Sequence, residues 1–249
     1  MNGDDVMTGA AKSPVTHKPR LDKYGINAVA RHLSMAVIVA ALLFVGAGTF
    51  GWHWGWVFSI VNCLGWVGLS AALVQWNPGL LNQRGKRTSH MEGTKQWDWV
   101  LLSLYSVLIV AQPFVAGLDY RYGWSAPVAD WVCVAGNGLT LIALALLAWS
   151  MVANRFFEVT VRIQAQRGQA VVTAGPYRYV RHPGYVGVIL MFVSLPLALG
   201  TWAALIPGAL GVVIYVIRTA LEDRTLQVEL SGYAEYARRT RYRLVPGVW

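Results

Sequence analysis

The sequence predicts an all-α protein: a polytopic membrane helical bundle of about six transmembrane helices, ending in a C-terminal cytoplasmic helical segment. Three observations predict it. Hydrophobic residues make up 55% of the 249 positions and charged residues only 13%, with a mean hydropathy of +0.43; a soluble domain carries about 25% charged residues. Apolar stretches long enough to enter a bilayer recur at 33–50, 55–76, 99–118, 128–151, 185–200 and 202–217. Lysine and arginine, finally, crowd into alternate connections between those stretches.

The chain starts with 27 residues that hold Asp4 and Asp5 and no apolar run before Ala28, so no cleavable signal peptide is expected and the first span serves as an uncleaved anchor. Lys12, Lys18, Arg20, Lys23 and Arg31 precede or open that span, and Arg84, Lys86, Arg87 and Lys95 separate the second from the third. Arg155, Arg162, Arg167, Arg178 and Arg181 lie between the fourth and fifth, and Arg238, Arg239, Arg241 and Arg243 follow the sixth. The other connections carry at most one arginine. The asymmetry predicts that both termini and the 152–184 connection face the cytoplasm, in a bacterial inner membrane. The last two spans are short and back to back around Gly200 and Thr201, which predicts a tight helical hairpin.

Several functions are excluded on this basis. The net charge of +9 is spread over the connections of one membrane face, which fits anionic headgroups of the lipid bilayer and not nucleic acid. GAGTFG at 46–51 fits G-x-G-x-x-G but closes an apolar helix and follows no strand, so it is read as small residues at a close helix crossing. Trp52, Trp54, Trp56, Trp76, Trp97, Trp99, Trp124, Trp131 and Trp202 fall mainly at span ends, as an interfacial belt does. Cys63 and Cys133 are read as small buried apolar residues. His17, His32, His53 and His90 are scattered, so no metal site is expected. Charged residues are essentially absent from the spans, which argues against a transport pathway.

GPYRYVRHPGY at 175–185 is the densest polar chemistry in the chain. Pro183 disfavours helical geometry at His182 and suits the first position of a helix, so the fifth span is expected to begin there with His182 as its cap. Histidine caps poorly. The Gly184 and Tyr185 amides then lack a side-chain acceptor at the positive end of a helix dipole, an arrangement suited to an anion, and Gly184 gives a ligand access to the backbone. After the sixth span, Arg218 and Glu222 share one helical face, with Leu226, Leu230 and Tyr233 continuing an apolar stripe. Arginine ahead of glutamate is the weaker order for a helical pair, so Glu222 is expected to meet a cationic ligand group.

The G-x-Y-x-x-x-R-H-P-x-Y core, the R-x-x-x-E pair continued by Asp223, and the GYAEYARRTRYRLVPGVW tail resemble the isoprenylcysteine carboxyl methyltransferase and phospholipid methyltransferase superfamily over residues 152–249. The apolar stretches divide off an N-terminal cytoplasmic tail and four spans over 1–151, and the resemblance implies a methyltransferase-like cofactor-binding region, with the hairpin and the cytoplasmic tail, over 152–249. It implies S-adenosylmethionine as cofactor, held by Tyr177, His182, Pro183, Gly184 and Tyr185, with Gln164 and a strand-like run Gln169, Ala170, Val171 and Val172 beside them and Glu222 closing the pocket. Arg218, toward the substrate, is the candidate catalytic residue. The chain departs from the family in having Asp223 where many relatives have a second glutamate, and Gln169 where isoprenylcysteine-specific members often have histidine. Asp223 is expected to point to ligand or to be solvated. The implied activity moves a methyl group to a lipidic or apolar acceptor, such as a prenylcysteine-like carboxylate, a lipid amine or a thiol. A sterol-type membrane reductase using NADPH is the alternative.

Overall fold

The computed structural model describes residues 19–86 and 93–249. Asp4, Asp5, Lys12, His17, Lys18, Arg87 and His90 lie outside the described residues. In chain order the α-helices are α1 (Lys23–Ala47), α2 (His53–Trp76), α3 (Pro78–Gly85), α4 (Gln96–Tyr122), α5 (Asp130–Ala153), α6 (Pro183–Leu199), α7 (Leu205–Glu229) and α8 (Tyr233–Arg239). Among the described residues five stretches are long and apolar enough to cross a membrane: α1, α2, α4, α5, and Trp202–Glu229, which is α7 with the short turn before it. The apolar α6 is shorter, at 17 residues. At 1.5 Å per residue it reaches about 25 Å.

The helices outrun the apolar stretches that mark them, for identifiable reasons. α1 begins ten residues before its predicted span because the Asp22 carboxylate accepts from the Tyr24 and Gly25 amides at 2.9 Å, an N-cap that the polar residues after it do not disturb. The sequence reading has no element at α3; there the Asn77 side chain caps the Leu80 amide, Pro78 takes the first helical position, and Leu80 and Leu81 are fully buried against α1. α7 continues to Glu229. The lengthened α4 and α7 therefore carry Asp98, Asp119, Arg218, Glu222 and Asp223 just beyond the ends of the apolar stretches.

Close crossings hold the bundle. A Cβ on Gly46 would lie 2.6 Å from the Phe114 carbonyl, and one on Gly117 would lie 2.3 Å from the Leu43 carbonyl, so α1 and α4 touch through their backbones. GAGTFG is thus a packing feature, with Gly48 (φ +66°) ending α1. α5 and α6 meet in the same way at Gly136 and Gly187. Pro196 deprives the Phe192 carbonyl of its helical amide, and Gln112 of α4 donates to that carbonyl at 2.7 Å. Gly200, at φ +66°, then turns the chain toward α7 as a hairpin. Trp56, Trp76, Trp99, Trp124, Trp131 and Trp202 are exposed, as a belt requires, but Trp52 is buried and stacked on Tyr120. Cys133 is buried, whereas Cys63 lies on the outer surface of α2, contrary to expectation.

Candidate functional site

The 154–182 connection folds without a strand; among the described residues none forms. The strand-like reading of Gln169–Val172 is therefore corrected. Within this run Val171 packs against the cluster of Leu230, Tyr233 and Tyr236 from the end of α7 and α8. The connection is tied to α4 at Val161, whose amide donates to Asp98 at 2.7 Å and whose carbonyl accepts from the Lys95 amide at 3.1 Å. Glu158, with 1% of its side chain exposed, pairs with Arg162 and Arg167 and closes the first loop of the connection.

The RHP stretch is fixed by a buried ionic hub that the sequence reading did not anticipate. Asp223 has no exposed surface. Arg181 grips its two carboxylate oxygens at 2.7 and 3.0 Å, and Arg243, Gln227 and Tyr233 donate at 2.9, 2.8 and 3.0 Å. His182 Nε2 lies 3.4 Å away. Arg181 also donates to the Thr240 and Arg241 carbonyls, and the Arg181 and His182 amides donate to Tyr242 and Arg243, so the C-terminal tail is laced onto the start of α6. Asp223 neither points to a ligand nor is solvated. An aspartate reaches two arginines here where a longer side chain would have to fold back. The signal was available: Arg181, Asp223 and Arg243 are unlike charges in three segments that a hairpin and a returning tail bring together.

Around this hub a cavity of about 100 Å³ opens. Its wall includes Gln164, Gln169, Ala170, Val171, Val172, Tyr177, His182, Gly184, Tyr185 and Glu222, so ten expected positions from four separate segments converge. Pro183 and Arg218 are not on the wall. Asn154, Phe157, Glu158 and Arg162 line it as well and were missed because their loop positions carry no motif of their own, while Tyr233 and Tyr236, which also line it, lie in the GYAEY tail but were given no site role.

The geometry refines several roles. His182 caps α6 without a side-chain bond, yet the Tyr185 amide turns back to the His182 carbonyl at 3.0 Å and so is not free for an anion. The space beside Gly184 is filled by the Phe157 ring, 2.4 Å from where a Cβ would stand, so glycine serves packing there and not ligand approach. Gln164 and Gln169 use their amides within the connection, donating to the Phe156 carbonyl at 2.8 Å and accepting from the Gln164 amide at 2.6 Å respectively. Burial raises the Tyr177 and Tyr233 phenols well above their usual range and pushes Tyr236 up to about 12, which keeps all three neutral hydrogen-bonding groups near neutral pH.

Arg218 and Glu222 do not pair with each other. Arg218, 4% exposed, bonds Asp98 at 2.7 and 3.3 Å and the Val159 carbonyl, beneath the rings of Tyr185 and Tyr215. The Tyr185 hydroxyl donates to Glu222 at the cavity wall. Among the described residues Glu222 has no ion-pair partner within 4.0 Å, while Glu158, Asp98 and Asp223 are each paired with arginine.

Helices that cross a membrane and a connection that folds back over the ends of α6 and α7 define an integral membrane protein with a polar cavity at one end of its bundle. Residues 136–228 match the Isoprenylcysteine carboxyl methyltransferase (ICMT) family, a match that begins within α5, includes the RHP core and the R-x-x-x-E pair, and stops short of the C-terminal tail. The chain is also similar to the cobalt-zinc-cadmium resistance protein CzcN of Cupriavidus metallidurans, at 34% identity over 103 residues, or 40% of this chain. It matches about half (47%) of that relative's length.

Proposed function

We propose that the chain is an S-adenosylmethionine-dependent methyltransferase that methylates a lipidic or small apolar acceptor, with residues 152–249 as its cofactor-binding region. The observation that carries this reading is Glu222: a carboxylate on a cavity wall with a hydroxyl beside it, and no ion-pair partner within 4.0 Å among the described residues, suits a cationic ligand group. Bound there, S-adenosylmethionine would supply an activated methyl group for the acceptor. The protein's part is to bind and orient. Glu222 would accept from the ammonium, Tyr185 would hold Glu222 in place, and the Tyr177 and His182 faces would flank the ring or the cation. The acceptor would arrive from the bilayer, as the apolar bundle behind the cavity suggests.

Equilibrium binding to the purified protein tests this directly. Labelled S-adenosylmethionine should bind, and Glu222→Gln should weaken it by roughly tenfold or more, since an ionic hydrogen bond contributes about 1.5 to 3 kcal/mol. Its unfolding midpoint should stay close to that of the parent. Tyr177 and His182 are each 6% exposed, so alanine there would disturb packing as well as binding and is the poorer probe. Binding of NADPH in place of S-adenosylmethionine would replace this reading with the reductase one.

The arginine and lysine pattern supports a cytoplasmic cavity. A cysteine in place of the exposed Gln166 should react with an impermeant maleimide in inverted inner-membrane vesicles and not in intact cells. Labelling in intact cells would reverse the orientation.

A further inference from the structure

A second cavity lies inside the bundle, between α1, α2, α4, α5 and α6, with a wall that is mostly apolar and includes Phe58, Trp66 and Leu195. Five polar side chains reach it, and four are engaged by the protein. Gln112 donates to the Phe192 carbonyl at 2.7 Å, Thr140 donates to Ser194 at 2.9 Å, Ser194 donates to the Met191 carbonyl at 3.1 Å, and the Tyr105 ring packs edge-on to Tyr215 with centroids 5.2 Å apart. The fifth is Asn62 in the middle of α2. It is 3% exposed, and its Nδ2 is buried without a hydrogen-bond partner among the described residues.

An amide without a partner is unfavourable in such surroundings, because neither side chains nor lipid tails replace the hydrogen bonds it makes in water. Leucine has nearly the same size and would fill the position without that cost. Polar side chains kept within membrane helices usually serve a ligand or a pathway. We propose that this cavity binds an apolar ligand that carries a hydroxyl or carbonyl oxygen along its chain, and that Asn62 selects it by hydrogen bonding to that oxygen. A plain hydrocarbon chain would leave the amide as it is in the unliganded protein. The neighbouring Thr140, Ser194 and Gln112 do not compete as donors, since both hydroxyls and the Gln112 amide nitrogen already donate within the protein. The assignment does not rest on the methyl-transfer reading, and its test needs no cofactor.

The test uses two medium-chain diazirine probes, one a secondary alcohol and the other its matching hydrocarbon, photolysed with the full chain in phosphatidylcholine nanodiscs. Labelling of peptides containing Met35 and Met191, both on the cavity wall, is quantified by mass spectrometry. The alcohol should label them about fivefold more than the hydrocarbon, the ratio expected of one neutral hydrogen bond. Asn62→Leu should bring the ratio close to one while leaving the unfolding midpoint equal to or above that of the parent. Asn62→Ala provides the same comparison should leucine impair folding. Equal labelling by both probes in the parent protein, or a preference that survives both substitutions, would overturn the proposal.

Discussion

Asp223→Ala should destabilise the protein by about 3–5 kcal/mol, the effect of removing one partner from a buried ionic cluster. The substitution leaves Arg181, itself 7% exposed, with its charge uncompensated at the centre of the hub, and frees Arg243, Gln227 and Tyr233 from a common acceptor. The loss should extend beyond the ion pairs, because the same Arg181 guanidinium holds the Thr240 and Arg241 carbonyls and so the C-terminal tail. Asp223→Asn keeps the shape and one acceptor oxygen and should fall between the parent and alanine. Denaturant or thermal unfolding in detergent measures both, and limited proteolysis should find the tail cleaved sooner in Asp223→Ala. An unfolding midpoint within a degree or so of the parent would mean that the hub does not hold the cytoplasmic end together. A 1 kcal/mol change moves the midpoint by about 2–4 °C in a chain of this size.

The contrast between Asp223 and its neighbour Glu222 shows where sequence reading succeeds and where it fails. Both are acidic, adjacent and near the membrane end of α7, and nothing in their local pattern assigns one inward to two arginines and the other to a cavity wall. The distinction depends on partners 42 and 20 positions away for Asp223 and 37 away for Glu222, which local periodicity does not encode. The bundle itself was readable because membrane helices announce themselves by composition over about 20 residues. Their ends were not, since hydropathy falls at polar residues while the helix continues wherever a cap or a buried ion pair sustains it, as at Asp22 and Arg218. Ten of the expected site positions converge on one cavity because they lie in segments flanking a proline-started helix and a hairpin, both visible in the sequence. Gly184 illustrates the remaining gap: its lack of a side chain was evident, but what occupies the space, Phe157, comes from a loop with no signal.

Arg218→Ala provides the second large effect, and it separates two roles. The sequence places Arg218 beside the acceptor, where its loss would lower turnover and leave stability and cofactor affinity nearly unchanged. The structure sets it behind Tyr185, off the cavity wall, as the counter-ion of the fully buried Asp98. Removing it strands a carboxylate that also accepts the Val161 amide, the bond that ties the 154–182 connection to α4. Arg218→Ala should therefore cost about 3–5 kcal/mol of stability, and any loss of cofactor affinity should follow from loosening of the connection and of Tyr185. Asp98→Asn should be milder, since it can still accept from Val161 and from the guanidinium. A double-mutant cycle makes the argument quantitative: with Asp98→Ala and Arg218→Ala combined, the cost should be clearly less than the sum of the single costs, because the second substitution removes the charge that the first left unpaired. Additive costs, or an Arg218→Ala protein of unchanged stability whose only defect is in turnover, would return Arg218 to the acceptor side of the reaction and leave Asp98 without the structural role given to it here.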